Sequence, residues 1–152
     1  MLDGQLAPYA DYLAALRASD IALLPLKDTL LNRAKSDLKF IESAASGAVA
    51  LASPVAYAEV IKDGETGCLY RSEKEFSDKL SMLIENAEKR REMAEAAYRY
   101  VRDNRLMSRH YEERLAWYRE CLAKLPELNA AARARIEAAA ATPLKISKSE
   151  LD

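Results

Sequence analysis

Lys35-Ser36-Asp37-Leu38-Lys39-Phe40-Ile41-Glu42, continued by Ser43-Ala44-Ala45-Ser46-Gly47 and the apolar run Ala48–Ala52, reads as a loop, a short helix, a glycine stop and a buried strand. Ser36 is placed to cap the helix, which runs to Ser46 with Gly47 as its C′ stop. Leu38, Ile41 and Ala45 share one helical face. Lys39 and Glu42, three residues apart, share another. A helix that packs on a sheet while holding a cation and a carboxylate near its N-terminus suits a ligand with phosphate and sugar hydroxyls. Phosphate would meet the N–H groups and positive dipole end at Ser36 to Leu38. The carboxylate would accept hydrogen bonds from a diol.

Upstream, Tyr9 to Ala18 reads as a helix with Tyr12, Leu13 and Leu16 as its apolar stripe. Asp20-Ile21-Ala22-Leu23-Leu24-Pro25 reads as a buried parallel strand ended by proline. Lys27 to Lys35 is a polar loop at that strand's C-terminal end, where open α/β sheets bind ligands. Downstream, Ala48 to Ser53 is the second strand, running beside the first in the same direction. Pro54 starts a turn, with a helical turn around Ala58. Asp63-Gly64 and Gly67 punctuate a further turn before a third strand, Cys68-Leu69-Tyr70.

The second half is nearly all helical. Ser72-Glu73-Lys74-Glu75 is a capping box, opening a helix with Phe76, Leu80, Leu83, Ile84 and Ala87 on one face. Helix continues from Glu88 to Asp103 through Met93, Ala97, Tyr100 and Val101. Ser108 is placed to cap a longer helix with the stripe Tyr111, Leu115, Tyr118, Leu122 and Leu125, ended or kinked by Pro126. Glu127 to Ala141 is alanine-rich, with little to bury, and is expected to fray. Thr142 to Asp152 is expected to be disordered. The fold class expected is α/β: a parallel, Rossmann-like sheet of about three strands followed by C-terminal helices.

The chain has 152 residues, enough for one domain. Its 23 basic and 24 acidic residues give a net charge of −1, no electrostatic reason to expect nucleic acid as a partner. Cys68 and Cys121 match no metal spacing and read as reduced, buried thiols of a cytoplasmic protein. Met1-Leu2-Asp3-Gly4 lacks the basic and apolar regions of a signal peptide. No apolar run reaches membrane-span length, and peripheral contact with a membrane stays open. No metal or cofactor is expected.

In order along the chain, Glu42, Gly47, the strand Val49-Ala50-Leu51-Ala52-Ser53, Glu59-Val60-Ile61 and Asp63-Gly64-Glu65-Thr66-Gly67 resemble the nucleotide-sugar-binding segment of GT-B glycosyltransferases of the group 1, or family 4, class. The resemblance runs from about Tyr9 to Cys121. It implies transfer of a sugar from a nucleotide diphosphate sugar, a donor substrate, to an acceptor hydroxyl in polysaccharide or cell-envelope glycan synthesis. Such a domain has about six strands in the order 3-2-1-4-5-6, and this sequence corresponds to strands four to six. Residues 1–125 are thus expected to be part of a donor-binding domain and residues 126–152 a helical tail. The missing N-terminal portion would come from the same or a separate chain. Without strand one, the edge of strand four is open and invites self-association. Alone, the portion is expected to bind donor weakly and turn over little or not at all.

By the same resemblance, Glu42 binds the ribose hydroxyls and Lys39 lies close to the donor diphosphate or base edge. The bland alternative is a surface ion pair between the two. Relatives place a second carboxylate eight residues before this glutamate, where this chain has Ala34. Asp37, or the backbone from Lys35 to Asp37, would do that work, or it is not done here. Asn32, Lys35 and Ser36 line the same loop and would reach phosphate or sugar. Tyr57 would either stack on the base or pack. His110, the sole histidine, is a helix residue far from the motif, and no catalytic residue is assigned. Two other readings stand beside the enzyme: a non-catalytic nucleotide-sugar-binding subunit, and a degenerate α/β domain for protein contacts.

Overall fold

Leu23 and Leu51 lie side by side in the same direction. They belong to Ile21–Leu24 (β1) and Val49–Ala52 (β2), which with Cys68–Leu69 (β3) form one parallel sheet in the order β1-β2-β3. The computed structural model describes residues 8–141. The expected disorder of Thr142 to Asp152 lies outside them. The chain divides into two units, one ending at Arg105 and the other starting at Leu106.

The first unit is the α/β layer. Strand β2 is central, and all four of its residues are buried. Alternation sends Ala50 and Ala52 to one face and Val49 and Leu51 to the other. The first face packs with Phe40 and Ala44 of Leu38–Ala45 (α3), with Tyr57, Ile61 and Leu69, and with Ala97 and Val101 of Ala87–Asn104 (α5). The second face packs with Cys68, Met93 and Leu83, the last from Glu73–Glu85 (α4). The short alanines on one face let α3 and α5 approach the sheet closely. Strand β1 is less covered than its sequence implies: Leu23 is 50% exposed. Only β2 pairs with it among the described residues, so its other edge is open.

Helix Tyr9–Arg17 (α1) forms as expected, but none of its residues is fully buried. The expected loop from Lys27 to Lys35 contains one helical turn, Leu30–Arg33 (α2), capped by Thr29 Oγ1. Helix α3 starts after Asp37, not at a Ser36 cap; the Asp37 side chain is drawn to Arg105 and caps nothing. Gly47, at φ +83°, is the C′ stop. In Asp63-Gly64-Glu65-Thr66-Gly67, Asp63 Oδ1 accepts from Leu69 N–H at 2.9 Å. A Cβ on Gly67 would stand 3.0 Å from the Ala50 carbonyl oxygen, so only glycine lets this turn lie against β2. Asp63 and Gly67 thus hold the turn against β2 and β3.

The Ser72 box closes one residue off the textual pattern: Ser72 Oγ accepts from Glu75 N–H, and the Glu75 carboxylate accepts from Arg71 N–H. Asn86 breaks the long helix and caps α5 through Lys89 N–H, which leaves Ile84 62% exposed and Ala87 exposed, contrary to the expected stripe. Met93, Ala97 and Val101 are buried and Tyr100 half-buried. In the second unit, Met107–Ala123 (α6) and Leu125–Ala141 (α7) bury no residue fully. Helix α6 follows Leu106 with no side-chain cap, so Ser108 does not serve as one. Pro126 sits in the first turn of α7, where its missing N–H costs nothing. Cys68 is buried, and burial raises its thiol pKa. Cys121 is only half-buried, less than expected.

Candidate functional site

Glu42 and Lys39 meet on α3 as their spacing requires: Lys39 Nζ lies 3.0 Å from Glu42 Oε2. The carboxylate is 8% exposed, not a solvated surface group. Two phenols from α1 cover it. Tyr9 donates to Oε1 at 3.1 Å and Tyr12 to Oε2 at 3.0 Å. Lys39 Nζ also sits 4.0 Å from the Tyr12 ring centroid, a cation–π contact. Burial pushes the Glu42 carboxyl pKa up, but the bonds from Lys39, Tyr12 and Tyr9 outweigh it and hold the value below the ordinary one. The same bond raises the Tyr9 phenol. Glu42 is therefore an ionised, shielded acceptor whose two oxygens already receive hydroxyl donors.

The other expected site residues divide. Asp37 forms a two-pronged pair with Arg105, at 2.6 and 2.9 Å, which ties the start of α3 to the end of α5. The pair raises the guanidinium pKa. Asn32 is engaged within its own loop: its N–H meets Thr29 Oγ1 and its Nδ2 donates to the Lys27 carbonyl at 3.0 Å. Lys35 and Ser36 are exposed between α2 and α3. Tyr57 is buried in the core, its phenol pKa raised by burial, so it packs.

At the C-terminal ends of the strands lies an open cleft of about 600 Å³. Lys27 and Asp28 line it after β1, Ser53 and Pro54 after β2, and Tyr70 and Arg71 after β3. Glu42 is not among its lining residues. Ser53 shapes the floor: its Oγ accepts from Leu26 N–H at 2.9 Å. Asp28 is clasped by Arg33 at 2.5 and 3.0 Å, which holds its pKa down. Among the described residues, no group of three or more histidine, cysteine or acidic side chains is placed to hold a metal. No described helix is long and apolar enough to cross a membrane.

Sequence reasoning missed Tyr9, Tyr12 and Arg105 as site neighbours. The two tyrosines are three residues apart and so share a helical face, but what that face meets is set by where α1 docks. Arg105 lies 68 residues from Asp37, and no local pattern links them.

A family profile described as "Glycosyl transferase-like" matches residues 2–116. A crystal structure of the C-terminal domain of a glycosyl transferase group 1 family protein, LpcC from Francisella tularensis, superposes with a TM-score of 0.53 at 26% identity. The alignment covers 66% of this chain and 51% of that one, so the chain spans about half of that domain. No curated protein sequence matches.

Proposed function

The chain belongs to the glycosyl transferase-like family matched by its residues 2–116, and from that membership we propose that it is the donor-binding portion of a glycosyltransferase. It holds a nucleotide diphosphate sugar, whose sugar passes to an acceptor hydroxyl in polysaccharide or cell-envelope glycan synthesis. Glu42 takes the ribose diol. Lys39 keeps that carboxylate ionised and faces the diphosphate side, while Asn32, Lys35 and Ser36 offer polar groups from the loop after β1. Asp37, through Arg105, anchors the start of α3 and so positions this loop. The rest of the enzyme, including its acceptor side, is supplied by a further portion of the same or a separate chain.

One observation carries this reading. A shielded, ionised carboxylate stands midway along α3, on the connection between the parallel strands β1 and β2, and each of its oxygens accepts a hydroxyl. Titration of the full chain with UDP-, GDP- and ADP-linked sugars, followed by amide shifts, should move signals in α3 and in residues 27–36. Glu42→Gln should weaken that binding about tenfold or more, the worth of a bond to a charged group. Binding unchanged in this variant sinks the site.

A second reading has its own support. Both acidic residues of the motif are engaged inside the chain, Glu42 by Tyr9, Tyr12 and Lys39, and Asp37 by Arg105. In a degenerate α/β domain these contacts would be the motif's whole purpose. The same titration decides: no nucleotide sugar would then shift α3.

A further inference from the structure

We propose that the first turn of α1 masks Glu42, with the Tyr9 and Tyr12 hydroxyls standing where a vicinal diol would bind. The inference rests on the reading of Glu42 as a ribose-binding carboxylate. A cis-diol offers two neighbouring O–H donors, and its best fit to a carboxylate places one on each oxygen. Tyr9 and Tyr12 supply that pattern, one bond to Oε1 and one to Oε2. Lys39 takes a further acceptor position on Oε2. With Glu42 only 8% exposed, little of the residue is left open to an incoming sugar. A ribose therefore reaches Glu42 only when the tyrosines withdraw.

The mask is built to open. Helix α1 buries no residue, its N-cap Pro8 offers no side-chain cap, and Tyr9 is 62% exposed. An element with so little burial opens at low cost. Exchange of two phenol donors for two ribose donors also leaves Glu42 equally well bonded. Lys39 stays on α3 beside the carboxylate and keeps it charged while the donors change. The consequence is a tax on affinity: the apparent dissociation constant rises as the unmasked fraction falls. Tyr9 and Tyr12 are thus gating residues for the donor, not catalytic ones.

The test uses the full chain, with UDP and GDP as probes and their 2′,3′-dideoxy forms as controls. Tyr9→Phe/Tyr12→Phe keeps both rings and removes both O–H donors. It should bind the ribonucleotides roughly tenfold tighter, as expected for a released mask, and the dideoxy forms no better. Tyr9→Phe alone alters an exposed ring and should show an intermediate gain, which keeps the test alive if the double variant unfolds. In the wild type, ribonucleotide should speed hydrogen exchange in α1. Binding that needs the diol and is lost in Glu42→Gln, but is not tightened by phenylalanine, overturns the mask and leaves the ribose site standing. Equal binding of ribo and dideoxy forms in every variant, or no binding by any, overturns both.

Discussion

Glu42 shows how one side chain ties two elements of the fold together while standing as the candidate ribose acceptor. Its carboxylate joins α1 to α3 through Tyr9 and Tyr12, and its pKa is held below the ordinary glutamate value. A depressed pKa contributes stability that is present above the unfolded value and is lost as pH falls through the folded one. Glu42→Gln should therefore cost about 1–2 kcal/mol at neutral pH, with the gap closing as acid passes through the glutamate range. Urea denaturation of both proteins across that range checks it; a gap independent of pH rules out an ionised Glu42 as the cause. The Lys39–Glu42 pair itself was legible from the i, i+3 spacing. The tyrosine cover was not, because it depends on where a helix thirty residues upstream docks.

Among elements, α3 carries the candidate site, and its position is set by its packed face and by its start. Its buried face, Phe40 and Ala44, packs on the small residues of β2, and its start is held by the Asp37–Arg105 pair. The pair is mostly shielded, with side-chain exposures of 15% for Asp37 and 27% for Arg105, so salt should weaken it little. Asp37→Asn should destabilise by about 1–2 kcal/mol and loosen α3 where it meets the loop. Thermal melting reads the first effect and hydrogen exchange at residues 35–40 the second. A loss that vanishes at high salt would mark the pair as an exposed one of little worth. The short helix α2 and the break at Asn86 escaped the pattern because each rests on one cap bond, and periodicity averages over longer windows.

At the scale of the whole molecule, the open edge of β1 is the prominent feature. Its backbone pairs on one side only among the described residues, and Leu23 is half exposed on an apolar strand. An edge of this kind favours pairing with another chain. Sedimentation of the isolated chain is expected to show mass rising with concentration; a monomer across a wide range speaks against an adhesive edge. The sequence by itself determined the order of strands and helices, the parallel sheet and the core face of α5, because hydrophobic period and glycine stops act over a few neighbouring residues. Only the tertiary structure decided that Glu42 is shielded, that Asp37 answers to Arg105 and that Tyr57 packs. Those outcomes turn on distances between residues far apart in the chain, and no local pattern encodes them.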